Sequence, residues 1–100
     1  MYAFQQTVKA KEGCLGELVE LTKAATTLLN EMMPEVKVSV FVDALGKLPL
    51  GQWQMECESL ALYDVAREQG AFNELFVPYD QRLPALLVEG SGRDMFCQPG

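Results

Sequence analysis

The sequence predicts an α+β domain in which strands and helices follow one another as β-α-β-β-α-β, and three stretches carry that prediction. From Tyr2 to Ala10 and from Val36 to Asp43, side chains change character with a period of two, the spacing of a strand with one face covered and the other wet. Between them, Leu15, Leu18, Thr22, Ala25, Leu29 and Met32 recur every three or four residues, as a helix with one buried stripe requires. In the third stretch, Gly51 to Gln69, an alternating pattern turns into a helical one at Ser59. A strand there runs into a helix with almost no loop.

Strand one sets Tyr2, Phe4, Gln6 and Val8 against Ala3, Gln5, Thr7 and Lys9. It begins almost at the first residue, so the N-terminus is expected to be tied into a sheet. After the polar link Lys11–Gly13, helix one is expected from Cys14 to Met33. Glu17 and Glu20 stand near its positive end, and Pro34 stops it. Strand two places Val36, Val38, Val40 and Val42 on one face and Lys37, Ser39, Phe41 and Asp43 on the other; its β-branched run suits a pleated surface.

The segment Ala44–Leu50, with Gly46 and Pro49, returns the chain as a hairpin. Its leucines, Leu45, Leu48 and Leu50, need cover from the loop or from a second subunit. Strand three then sets Trp53, Met55 and Cys57 against Gln52, Gln54, Glu56 and Glu58. Ser59 is placed to cap the following helix, whose stripe reads Leu60, Leu62, Tyr63, Val65 and Ala66, with Asp64, Arg67 and Glu68 as a charged outer face. Gly70 is expected to break that helix. Ala71–Val77 and Tyr79–Leu87 carry shorter helical patterns interrupted by Pro78 and Pro84. Gly90-Ser91-Gly92 reads as a turn and Arg93–Cys97 as a short last strand.

One hundred residues fit a single domain, residues 1–100, with enough buried surface for one core but not two. A chain that is 49% hydrophobic and 22% charged has the balance of a folded globule. Its formal charge of −6 without a basic run opposes a nucleic acid or an anionic membrane surface, since both need clustered cations. Three widely spaced cysteines suit neither a disulfide framework nor a zinc site. No charged leader opens the sequence, and no apolar run approaches the roughly 20 residues of a membrane helix. The expectation is a soluble cytoplasmic protein.

This element order closes into a four-stranded antiparallel sheet with the helices on one face, a ferredoxin-like sandwich. Its other face is then uncovered, and a homodimer is the ordinary remedy. The residues also resemble a family. Strand one YAFQQTVKA, a glycine before helix one, the tryptophan strand GQWQMECES, the ESLALYD start of helix two, the NELF segment and the closing GSGRDMF together resemble the dimeric α/β-barrel superfamily. That superfamily includes antibiotic-biosynthesis monooxygenases, stress-responsive A/B barrel proteins and NIPSNAP-like domains. The resemblance covers nearly the whole chain. It implies two sheets closing into a barrel across a dimer, with each pocket between a sheet and its own helices.

The resemblance also bears on chemistry. Haem-degrading members use an asparagine, a tryptophan and a histidine. Here Gln5 or Gln6 stands roughly where the strand-one asparagine would be, Trp53 alone carries over, and there is no histidine. Haem degradation is therefore not expected, nor is a metal site, since histidine is the commonest ligand. No phosphate loop, nucleophile elbow or Cys-His pair is present, so neither nucleotide binding nor covalent catalysis is expected, and no cofactor is expected. Trp53 could stack on a planar aromatic or polyketide-like ligand, the kind that cofactor-independent quinone-forming relatives oxidise, or it could fill the core. Glu56 could act as a base if burial raised its pKa, although carboxylates on a sheet face are commonly solvated or paired. Tyr63 and Tyr79 could orient a ligand oxygen. Phe4 and Gln6 on strand one and Arg93 on strand four complete the candidate ligand contacts, with Arg93 expected to sit centrally and to need a carboxylate partner. Trp53, Tyr63 and Glu56 are the catalytic candidates of an oxygenase or cyclase. The alternative is a dimeric binding module without catalysis.

Overall fold

The computed structural model describes residues 1–42 and 49–98. Asp43, Leu45 and Leu48, which the sequence reading placed at a strand end and in an apolar loop, lie outside the described residues. The elements are β1 (Tyr2–Lys9), α1 (Leu15–Met32), β2 (Lys37–Val42), β3 (Leu50–Cys57), α2 (Leu60–Phe72), α3 (Val77–Leu86, after a 3₁₀ turn at Glu74–Phe76) and β4 (Arg93–Cys97). The strands form one antiparallel sheet in the order β2-β3-β1-β4. This is the expected β-α-β-β-α-β arrangement with its second helical region divided in two.

Register decides which side chains meet the helices, because a pleated strand sends every second residue to the same face. Gln6 pairs with Trp53 and Phe4 with Met55 across β1 and β3. Val38 and Val40 of β2 lie opposite Met55 and Trp53, and Asp94 and Phe96 of β4 lie opposite Gln6 and Phe4. These residues form the face turned toward the helices, covered over β1 to β3 and open at the β4 edge, where Phe96 is 43% exposed. The outer face carries Gln5, Gln54 and Glu56, flanked at the two edges by Phe41 and Met95, which are 49% and 59% exposed.

The helices start and stop for local reasons. Gly13 takes φ +75° to turn the chain out of the link before α1, a conformation that costs a glycine little. Ser59 caps α2 as expected, its hydroxyl oxygen accepting the amide N–H of Leu62 at 3.2 Å. Asn73 closes α2 and opens the 3₁₀ turn, accepting the Leu75 N–H at 2.9 Å. Pro78 lies in the first turn of α3, where a missing N–H costs nothing. Past α3 the chain is joined to the end of β1: Lys11 N–H donates to Leu86 O and Val88 N–H to Lys9 O, both at 2.8 Å.

Several expectations are corrected. α2 does not end at Gly70 but runs through it to Phe72, because one glycine costs a helix only about 1 kcal/mol and the flanking turns carry it. Leu60 and Val65 point outward, 49% and 44% exposed, leaving Leu62, Tyr63 and Ala66 as the inward stripe of α2. β4 is an edge strand, so Arg93 is exposed rather than central, and its guanidinium donates to the carbonyls of Gly90 and Gly92 at 3.0 and 2.7 Å. Nor do the described residues form one core. A larger cluster gathers Leu29, Met33, Val36, Met55, Cys57, Ala66 and Phe76, and a smaller one gathers Ala10, Leu18 and Leu86 near the end of β1.

Candidate functional site

A cavity of about 440 Å³ opens between the sheet and all three helices. It sits where the two core clusters fail to merge. Leu29, Met55, Ala66 and Phe76 bring the larger cluster to its wall, while Leu21, Leu83 and Leu87 are packed against the smaller one. Its size is within the range of small-molecule sites, and its walls are mainly apolar with a few polar groups, as such sites are.

The sheet supplies the most ordered part of the wall. Trp53 on β3 donates its indole N–H to Gln6 Oε1 on β1 at 2.7 Å, and Gln6 Nε2–H donates in turn to Asp94 Oδ1 on β4 at 3.0 Å. Phe4 lies beside both Trp53 and Tyr63, with ring centroids 5.2 and 5.5 Å apart at tilts of 54° and 45°. Phe96 continues the row 4.8 Å beyond Tyr63. Tilted contacts of this kind fit the negative face of one ring to the positive edge of the next. The helix side adds Arg67, its guanidinium carbon 5.7 Å from the Tyr63 ring centroid, within the range of a cation–π contact. Thr22 and Thr26 turn their hydroxyls to the carbonyls of Leu18 and Lys23 at 2.8 and 3.0 Å, so neither needs a ligand to be satisfied.

Five of the expected residues, Phe4, Gln6, Trp53, Tyr63 and Tyr79, come together on this wall. Trp53 does not choose between wall and core, for it lines the cavity and also packs against the larger buried cluster. Two expected residues are displaced. Glu56 lies on the outer face of the sheet, opposite Ala3 and Lys37, where its carboxylate accepts from Gln54 Nε2–H at 2.9 Å; period-two alternation from Trp53 sends it there. Arg93 lies on that same outer face, opposite Thr7.

Sequence reasoning missed Asp94, Arg67 and Asp80, the charged groups of the wall. Signals for two of them existed. Asp94 shares its strand face with the aromatic Phe96, and Arg67 follows Tyr63 by four residues, one helical turn on the same face.

Among the described residues no three His, Cys, Asp or Glu side chains gather as a metal site needs, and no buried side-chain nitrogen or oxygen lacks a hydrogen-bond partner. No described helix is long and apolar enough to cross a membrane.

No family model matches the sequence, and no curated protein is significantly similar to it. Solved structures are similar over the full chain. An uncharacterized NIPSNAP domain protein from Burkholderia xenovorans superposes with a TM-score of 0.78 at 13% identity, covering 100% of this chain and 95% of its own. An antibiotic biosynthesis monooxygenase gives 0.75 at 14% identity, covering 100% and 99%. The chain has the NIPSNAP and antibiotic-biosynthesis-monooxygenase fold. SnoaB, a cofactor-independent oxygenase from Streptomyces nogalater, shares it with a TM-score of 0.72 at 13% identity over 99% of this chain and 92% of its own. Identities this low carry the monooxygenase-like fold and not an activity.

Proposed function

We propose that this protein binds a flat aromatic or polyketide-like small molecule in the cavity between sheet and helices, working as a homodimer in the cytoplasm, and acts on it as a cofactor-independent oxygenase or cyclase. The observation that carries the binding is the cavity itself, a space of about 440 Å³ with the Trp53 indole held by a hydrogen bond as part of its wall. A planar ligand laid against that ring gains stacking and desolvation without ordering it further. The chemistry is supported by the fold shared with the cofactor-independent oxygenase from S. nogalater. The proton-transfer groups open to a bound ligand are Tyr63, Tyr79 and Asp80.

The homodimer is supported by the outer sheet face. Phe41 and Met95 are exposed there around polar side chains that pair with one another: Gln5 Nε2–H donates to Gln54 Oε1 at 2.8 Å, and Gln54 Nε2–H to the Glu56 carboxylate at 2.9 Å. The Gln5 and Gln54 amides, already paired, can be buried against a second copy at lower cost than unpaired ones, with the Glu56 carboxylate kept hydrated at the rim of the contact.

A binding module without catalysis is the second reading, favoured by the absence of histidine, the usual general acid-base near neutral pH. Thermal unfolding in the presence of 1,4-naphthoquinone, anthrone and smaller phenols tests binding, because a ligand of the native state raises the midpoint. Oxygen uptake, or conversion of those that bind to a new product seen by mass spectrometry, separates the two readings. A midpoint unmoved by every compound would remove both.

A further inference from the structure

We propose that Asp94 is a positioning residue, which through Gln6 fixes the orientation in which Trp53 meets the cavity. The consequence for ligand affinity rests on the cavity being the binding site; the relay itself does not.

The inference follows from what each group can do. An indole N–H donates and never accepts, while a carboxylate accepts and never donates. Gln6 stands between them, its Oε1 taking the Trp53 N–H at 2.7 Å and its Nε2–H reaching Asp94 Oδ1 at 3.0 Å. The two neighbours demand the same orientation of the amide. A flipped Gln6 would aim NH₂ at the indole N–H and its carbonyl at the carboxylate, losing both bonds, the part-buried one to Trp53 worth about fivefold in population and the solvent-exposed one to Asp94 less. With Asp94 removed only one demand remains, and the glutamine regains rotamers. The acceptor that anchors the edge of Trp53 then becomes mobile, while Phe4 still packs beside the ring at 5.2 Å. The three residues face one another across three strands, since Gln6 pairs with Trp53 on one side and with Asp94 on the other. A support built on strand backbone holds a site more closely than one built on loops.

The chain has a single tryptophan, so its indole fluorescence and its one indole N–H resonance report on Trp53 alone. In Asp94→Ala that resonance is expected to move and its exchange with solvent to quicken by about two- to threefold, as the indole keeps its Gln6 acceptor but on a looser side chain. Asp94→Asn, whose side-chain carbonyl can take the same Gln6 Nε2–H, is expected to stay near wild type. In a Gln6→Met background, Asp94→Ala should change nothing further, as coupled residues require. Asp94→Val, a better strand former, should behave as Asp94→Ala and decides the matter if the alanine variant is unstable. A spectrum of Asp94→Ala and Asp94→Val that overlays wild type overturns the proposal, as does Asp94→Asn moving as far as Asp94→Ala. Titration with 1,4-naphthoquinone separates the layers: affinity lowered about threefold in Asp94→Ala and restored in Asp94→Asn supports the site and the relay together. A shifted resonance with no binding by wild type leaves the relay standing and removes the ligand reading.

Discussion

The Trp53 indole N–H donates to Gln6 Oε1 at 2.7 Å, and the same ring both walls the cavity and packs against the larger core cluster. Trp53→Phe should therefore lower stability and affinity together. The lost hydrogen bond and the space left by the smaller ring are expected to cost about 1–2 kcal/mol in stability. Loss of one stacking surface should weaken 1,4-naphthoquinone binding by about fivefold. Urea unfolding and a fluorescence-independent binding assay, run on both proteins, measure this. A change in stability with unaltered affinity would take Trp53 out of the ligand site.

Cys57 is only 2% exposed, and burial pushes its thiol up from the ordinary value of 9.0. The native state then holds a proton that the unfolded state releases, so the folded protein is favoured fully below about pH 9 and loses that contribution as pH rises beyond it. Cys57→Ala is expected to be less stable at pH 8 because it leaves a small cavity. Its deficit should shrink between pH 8 and pH 10.5, as wild type alone loses the thiol contribution. Urea midpoints across that range decide it, and parallel curves would show that the thiol titrates alike in both states. Labelling with a thiol reagent should also leave Cys57 slower than the half-buried Cys14 and Cys97.

Much of this was legible in the sequence because period-two patterns are hard to mistake when one face is apolar. Phe4, Gln6, Trp53 and Tyr63 could be placed on the covered side from alternation and from the Ser59 junction alone. What alternation cannot supply is the position of a strand within a sheet. Arg93 seemed central on pattern and proves to be at an edge, because strand order follows from crossovers and not from composition. The five-residue β4 is too short for its own pattern to say whether Arg93 or Asp94 faces the helices. Pairing with Thr7 and Gln6 settles that. The cavity was not legible either, for it depends on how three helices pack together over the sheet, which no local pattern encodes.

Gly70 lies inside α2 and on the cavity wall, and a Cβ built there meets nothing within 4 Å. Gly70→Ala should raise stability by about 0.5–1 kcal/mol, because alanine gives up less backbone freedom in a helix. The added methyl would stand at the rim of the cavity, so binding of the largest planar probes should weaken while smaller phenols are unaffected. Unfolding midpoints and a ligand size series measure the two effects. A fall in stability would mean that the helix needs glycine at this turn.

Met95 lies across β1 from Gln54, on the edge strand of the outer face, and is 59% exposed. A stable two-fold pair must bury about 1,200 Å² or more, and the symmetry of such a pair puts both copies of each central residue into the same interface. Met95→Glu would therefore insert two carboxylates among apolar side chains and the paired Gln5 and Gln54 amides, on the face that already carries the two Glu56 carboxylates. Like charges brought together in a desolvated contact repel strongly. Wild type is expected to sediment as a dimer at about 10 μM, and Met95→Glu as a monomer with an unchanged far-ultraviolet spectrum, since an exposed side chain contributes little to the fold itself. Because the repulsion is electrostatic, acidification that neutralises the new carboxylates should restore pairing, whereas Met95→Leu should pair at every pH. A wild type that sediments as a monomer at about 10 μM would remove the dimer and leave the outer face to be covered by water alone.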